Sequence, residues 1–143
     1  MDERDEAREA LENIARTRRD TARAAASPKG YYFAAGSGIA LVILGLGLEG
    51  TARWVFYAFG LLTTLSAMRW YTKHTGVVTW ATFRERGAWR VWVIVAVSLG
   101  GIVVATTLGT AAALVAAVAT LAAWSGLGPS WDEAWVRSIQ DQP

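Results

Sequence analysis

Long apolar stretches separated by short polar breaks dominate the middle of the chain. Residues 31–48 and 91–127 contain no Asp, Glu, Lys or Arg. An apolar run of about 18 residues or more, rising about 1.5 Å per residue, matches the roughly 30 Å hydrocarbon core of a bilayer. The pattern therefore predicts an all-α polytopic membrane protein with four transmembrane helices, at residues 31–48, 52–71, 88–108 and 110–127.

Two of the connections between these predicted helices are very short. Residues 49–51 alone join the first helix to the second, and Gly109 and its neighbours join the third to the fourth. Connections of this length force antiparallel neighbours, so we predict two antiparallel helical hairpins. Small residues recur at small-xxx-small spacing, which lets helix backbones approach closely in lipid. Such contacts form either within one chain or between the chains of a homo-oligomer.

Charge is concentrated before the first apolar stretch. Residues 1–12 carry six acids and two Arg, whereas residues 13–30 carry five bases and one acid. This order suits the dipole of a helix over residues 2–26, which Pro28 and Gly30 then break. The three expected regions are a cytoplasmic charged helix and hinge at 1–29, a four-helix transmembrane domain at 30–128 and an interfacial tail at 129–143.

The C-terminal tail carries helix signals of its own. Residues 126–129, Gly-Leu-Gly-Pro, are expected to end the fourth helix, and Ser130 with Glu133 has the spacing of a capping box. The apolar side chains that share one face of the following segment are Trp131, Trp135 and Ile139. We therefore predict a short interfacial helix over residues 130–140, lying in the inner headgroup layer.

Lys and Arg are distributed unevenly about the predicted helices. If the N-terminus is cytoplasmic, all of the 14 Lys and Arg residues except Arg53 lie on the cytoplasmic side. The positive-inside rule then predicts a multi-pass protein of the plasma (cytoplasmic, or cell inner) membrane, with both termini and the 72–87 loop in the cytoplasm. Anionic phospholipids at the inner surface are the expected lipid partners.

Few side chains are available for catalysis. The chain has no Cys, its only His is His74, and no carboxylate lies within the predicted hydrocarbon zone. We therefore expect no catalytic site, no metal and no cofactor. The cations that could bind an anionic headgroup at the inner surface are Lys73, His74, Arg84 and Arg86. In the alternative interpretation these cations only fix the topology, and His74 caps the end of a helix.

Transport has little support in the sequence. Ion-coupled transport usually requires an intramembrane acid, and Glu49 lies at a helix end, where we expect it to pair with Arg53. The hydroxyl groups that could line a polar path belong to Ser37, Thr63, Thr64, Ser66, Ser98, Thr106 and Thr120. In the alternative interpretation these hydroxyls bond to carbonyls of their own helices.

Two stretches are similar to a known group of proteins. They are the Ala/Arg-rich segment 22–29 that leads into Tyr31-Tyr32, and the segment 71–77, Tyr-Thr-Lys-His-Thr-Gly-Val. The chain resembles the uncharacterised small four-helix integral membrane proteins of actinobacteria. The resemblance implies a four-helix membrane fold and at most a regulatory setting, and it transfers no active-site residue.

The function predicted from these observations is non-enzymatic. We expect an interaction or regulatory subunit that contacts a cytoplasmic protein partner through residues 1–26, and no nucleic acid partner. The alternative is an oligomeric pore or small-molecule transporter or exporter. A lipid-modifying enzyme that uses His74 is a third class of function.

Overall fold

The computed structural model describes residues 7–14, 16–17, 20, 26–75 and 87–140, with the backbone alone at 135 and 138–140. Within these ranges the chain forms five helices and no strand. Helix α1 covers residues 7–14, with helical backbone also at 16–17 and 20. The others are α2 (Tyr31–Leu46), α3 (Gly50–Thr75), α4 (Trp89–Leu108) and α5 (Thr110–Gln140). The all-α prediction is confirmed for the described residues.

Helix α2 lies at the centre of the bundle. It packs extensively against α3 and α5 and touches α4, while α4 packs against α5. Gly45 lies against Arg53 near one end of α3, whereas Gly38 lies against Thr64 further along it, so α2 and α3 are antiparallel. Helices α4 and α5 are antiparallel as well, because Gly101 faces Thr120 while Arg90 reaches Ser130. The two predicted hairpins are therefore present.

The two hairpin turns lie together at one end of the bundle. Gly50 and Gly109 adopt φ values of +63° and +82°, in the left-handed region that a side chain disfavours. The Thr110 hydroxyl donates a hydrogen bond of 2.6 Å to the carbonyl oxygen of Gly47. This bond joins the turn of the first hairpin to the turn of the second.

The core consists mostly of small residues. The buried cluster where α2, α4 and α5 meet contains Ala40, Ile43, Ala105, Ala113, Ala116 and Ala117. A Cβ atom added to Gly38 would lie 2.8 Å from the Thr64 nitrogen and 2.9 Å from the Gly60 carbonyl oxygen, so α2 and α3 are in backbone contact. At Gly36 and Gly38 the small-residue contacts thus form within one chain.

Among the described residues, two helices are long and apolar enough to cross a bilayer, at Trp89–Leu108 and Thr110–Ala134. The prediction of four such spans is corrected to two. Helix α2 has 16 residues, which at about 1.5 Å each reach about 24 Å, short of the roughly 30 Å core. Helix α3 is long enough at 26 residues, but Arg53 and Arg69 lie within it and lower its apolar content.

The predicted break before residue 130 is also wrong. Helix α5 continues through Pro129 to Gln140, so the expected boundary at residue 129 falls inside a helix. The Ser130 hydroxyl donates to the Leu127 carbonyl at 2.9 Å and does not cap a new helix. Proline removes one N–H donor, and tertiary contacts on both sides of Pro129 support the helix: Tyr32 packs on Gly128, and Arg90 bonds the Ser130 carbonyl. The side chains of 135 and 139 lie outside the described residues.

Candidate functional site

A polar cluster lies at the end of the bundle opposite the hairpin turns. The Asp132 carboxylate accepts hydrogen bonds from the Ser27 backbone N–H at 2.9 Å and from the Ser27 hydroxyl at 3.0 Å. The Tyr32 hydroxyl donates to the same carboxylate at 3.4 Å, and it lies 3.3 Å from the Ser27 hydroxyl oxygen. The cluster joins the segment before α2 to the C-terminal part of α5.

The local backbone at the start of α2 positions this cluster. Gly30 adopts φ +87°, and the chain turns so that the Tyr31 N–H donates to the Pro28 carbonyl at 3.0 Å. The Tyr32 ring packs on Gly128, where an added Cβ would lie only 2.9 Å from the Tyr32 Cβ. Burial raises the pKa of the Tyr32 hydroxyl above its usual range, and the nearby Asp132 carboxylate acts in the same direction. Tyr32 therefore stays a protonated donor at neutral pH.

Arg90 joins the start of α4 to the C-terminal part of α5 at the same end. Its Nη1 atom donates to the Ser130 carbonyl at 2.8 Å, and its guanidinium carbon lies 5.5 Å from the centre of the Trp89 ring. Gly87, with φ +104°, precedes α4 and lies close to Ala134. The start of α4 is thereby held against the C-terminal part of α5.

The last turn of α3 lies at this end too. The rings of Tyr31 and Tyr71 are 4.9 Å apart. Lys73 and His74, two of the predicted headgroup-binding cations, lie exposed in this turn. The other two, Arg84 and Arg86, lie outside the described residues. The structure thus brings half of the predicted headgroup site to this end, and the complete site stays a prediction.

Sequence reasoning missed the polar cluster. Ser27 and Asp132 are separated by 105 positions, and no motif links them. Asp132 lies within the predicted 130–140 helix, and Ser27 lies just before Pro28, where the predicted N-terminal helix ends. The predicted Glu49–Arg53 ion pair is likewise not among those in the described residues; the Arg53 Nε donates to the Leu48 carbonyl at 2.8 Å.

Three of the seven hydroxyl groups considered for a polar path bond within their own helices. Thr64 donates to the Gly60 carbonyl at 2.9 Å, Ser98 to Ile94 at 2.8 Å and Thr106 to Ile102 at 3.0 Å. Thr120 is fully buried against Gly101, and among the described residues its hydroxyl has no hydrogen-bond partner. These bonds match the alternative interpretation, in which the hydroxyls serve their own helices.

Large apolar side chains cover the outside of the bundle. On α3 the exposed ones include Trp54, Phe59, Leu62 and Leu65; on α4 they include Trp92, Leu99 and Val103; on α5 they are Leu114, Val115 and Val118. Of the candidate span windows in α4 and α5, only 17% and 22% is buried inside the bundle. A monomer in water rarely exposes so much contiguous apolar surface. These surfaces support contact with lipid.

Comparison with protein-family models, curated proteins and solved structures gave no match. The described part of the chain also holds no group of three or more His, Asp or Glu residues that could bind a metal ion. The interpretation of this end of the bundle therefore rests on its own geometry.

Proposed function

We propose that the chain is a membrane-embedded, non-enzymatic interaction or regulatory subunit that presents α1 to a cytoplasmic protein partner. One observation carries the proposal. Every described residue of α1 is exposed, and its apolar side chains Leu11 and Ile14 are 68% and 50% accessible. Residues three apart lie on one face of a helix, so these two form a small apolar patch without a cover in the described structure.

The bundle supplies the anchor for α1. Helices α4 and α5 are long and apolar enough to span a membrane. The Ser27–Asp132 hydrogen bonds determine where the chain that follows α1 joins the bundle. A partner bound to α1 would therefore be held close to the end of the bundle at which α2 begins.

The proposed location is the plasma (cytoplasmic) membrane, with both termini in the cytoplasm. Its support is the distribution of Lys and Arg: of those in the described residues, only Arg53 lies near the hairpin turns. Lys29, just before α2, and Thr51, in the first turn of α3, are exposed and lie at opposite ends of the bundle. In intact cells a membrane-impermeant thiol reagent should label Thr51→Cys and not Lys29→Cys; the reverse pattern would contradict the orientation.

The oligomeric pore or exporter is the weaker proposal. Thr64, Ser98 and Thr106 bond to their own helix carbonyls. Thr120 is enclosed where α4 and α5 meet and so does not face an open path.

Site-specific photo-cross-linking in native membranes tests the interaction. We would place a photoreactive residue at Leu11 or Ile14, and at Glu9 or Asn13 as matched controls. All four positions are exposed, but the controls lie on the opposite face of α1. A discrete adduct from 11 and 14 that is absent from 9 and 13 is the expected result. Equal labelling from both faces, or none from either, would contradict a partner that binds the Leu11–Ile14 patch.

A further inference from the structure

Helix α3 has an outer face that no other described helix covers. Among the described helices it packs against α2 alone, which it contacts through a row of residues that includes Gly60, Thr64 and Tyr71. At successive spacings of three or four residues, the opposite row lies on one side of the helix. This outer row consists of Val55, Ala58, Leu62, Leu65, Arg69 and Lys73, all exposed.

The outer row changes character along its length. Val55, Leu62 and Leu65 are 46%, 62% and 61% accessible and wholly apolar. The row then ends in two cations, Arg69 and Lys73, at the end of the bundle that carries the polar cluster. From Leu62 to Lys73 the helix rises about 16 Å, close to the thickness of one leaflet of a roughly 30 Å core.

Arg69 and Lys73 have no acidic partner among the described residues. The ion pairs among the described residues are Arg8–Glu12 and Arg137–Glu133, so neither cation has a carboxylate within pairing distance there. Like charges four residues apart on a helix repel each other. A phosphate group between the two side chains would remove this repulsion and form charge-assisted hydrogen bonds.

We propose that an anionic phospholipid binds the outer row of α3. Its phosphate lies between Arg69 and Lys73, and an acyl chain runs along Leu65 and Leu62. The inference rests on the proposed membrane location and identifies a lipid partner for it. It keeps Lys73 from the predicted headgroup site and pairs it with Arg69 on the outer face of α3.

A second copy of the chain fits this face less well. Copies inserted in the same orientation would pair their α3 helices in parallel. A symmetric contact across the outer row would then place Arg69 and Lys73 of both copies together, bringing four positive charges to one point. The charge distribution therefore favours a phosphate-bearing lipid over self-association.

The test uses the full chain in nanodiscs of equal parts phosphatidylcholine and phosphatidylglycerol. Native mass spectrometry counts the lipids that stay bound to the protein after it is released from the nanodisc. We expect preferential retention of phosphatidylglycerol, reduced several-fold in R69Q/K73Q. The control K29Q/R137Q removes the same charge away from the outer row and should retain as much phosphatidylglycerol as the unmodified chain. An equal loss in both variants would mean diffuse attraction by net charge and would overturn the site.

Photo-cross-linking gives a second measurement on the unmodified chain, and it decides the question even if R69Q/K73Q fails to fold. Phosphatidylglycerol with a photoreactive acyl chain should label peptides that contain Leu62 and Leu65 more than peptides of α4 or α5. Uniform labelling, or a disulfide-linked dimer formed efficiently by Leu62→Cys, would overturn the proposal. Failure to insert into phosphatidylcholine alone would contradict the membrane location itself; insertion without a phosphatidylglycerol preference would contradict only the lipid site.

Discussion

Helices α2 and α3 form one hairpin, yet their surroundings differ sharply. Helix α2 has 16 residues and buries seven of them, including Gly38 and Ile43. Helix α3 has 26 residues, of which only Gly60 and Ala67 are buried. Helix α2 contacts three helices, whereas α3 contacts α2 alone within the described structure. The shorter helix therefore organises the bundle, and the longer one supplies an outer surface.

The difference shows that an apolar side chain in this protein need not be buried inside the bundle. In a soluble protein an apolar helix face is buried against a neighbouring element, whereas lipid can cover a large apolar side chain equally well. The residues that identify the packed helix are thus small ones that let backbones meet. Gly36, Gly38 and Gly45 perform this role on α2, while large apolar side chains of α3, among them Trp54, Phe59 and Leu62, are exposed on the outside.

The largest effect on stability is expected when a buried apolar side chain, rather than an exposed one, is truncated. Ile43 is fully buried, whereas Leu62 is 62% accessible. Ile43→Ala should lower the free energy of unfolding by about 2 to 5 kcal/mol, because it leaves a cavity in the core. Leu62→Ala should change it far less. Thermal unfolding in detergent compares the two, and equal destabilisation would contradict the assignment of α2 as the buried helix.

A smaller effect is expected from one added methyl group at the α2–α3 contact. In Gly38→Ala the new Cβ would meet the backbone of Thr64 and Gly60, which cannot move independently of α3. We expect a loss of about 1 to 3 kcal/mol through overpacking. The matched control is Gly100→Ala, since nothing lies within 4 Å of that position. There, the better helix propensity of Ala should leave stability unchanged or slightly raised.

The smallest effect is expected from weakening the hydrogen bonds that join the start of α2 to Asp132. In Asp132→Asn an amide nitrogen replaces either Oδ2, which accepts from the Ser27 N–H, or Oδ1, which accepts from the Ser27 and Tyr32 hydroxyls. At least one of these bonds therefore loses its acceptor. We expect a loss of about 1 kcal/mol, and faster hydrogen exchange at the Ser27 amide. Glu133→Gln is the control, because Glu133 pairs only with Arg137 across 3.8 Å at an exposed site. Equal exchange at Ser27 and equal free energies of unfolding in the two variants would together mean that the cluster contributes nothing.

Several features of the fold follow from local sequence. The helical class and the positions of the turns at Gly50 and Gly109 could be predicted. Long apolar stretches and turn-forming glycines determine the backbone conformation of only a few neighbouring residues, so they can be read locally. The antiparallel hairpins could be predicted from the short connections, which leave the chain no other route. Lys73 and His74 were predicted to follow a helix that ends at residue 71, whereas the structure places them in the last turn of α3, which extends to Thr75.

The remaining features depend on contacts between distant residues, and only the tertiary structure decided them. Helix α5 continues through Pro129 because Tyr32 and Arg90, from other helices, support it. The burial of α2 and the exposure of α3 depend on which small residues meet at the helix contacts. Composition alone does not identify those residues. The Ser27–Asp132 bonds join positions 105 residues apart. A sequence determines local backbone preference directly, whereas such long-range pairings exist only once the helices have packed.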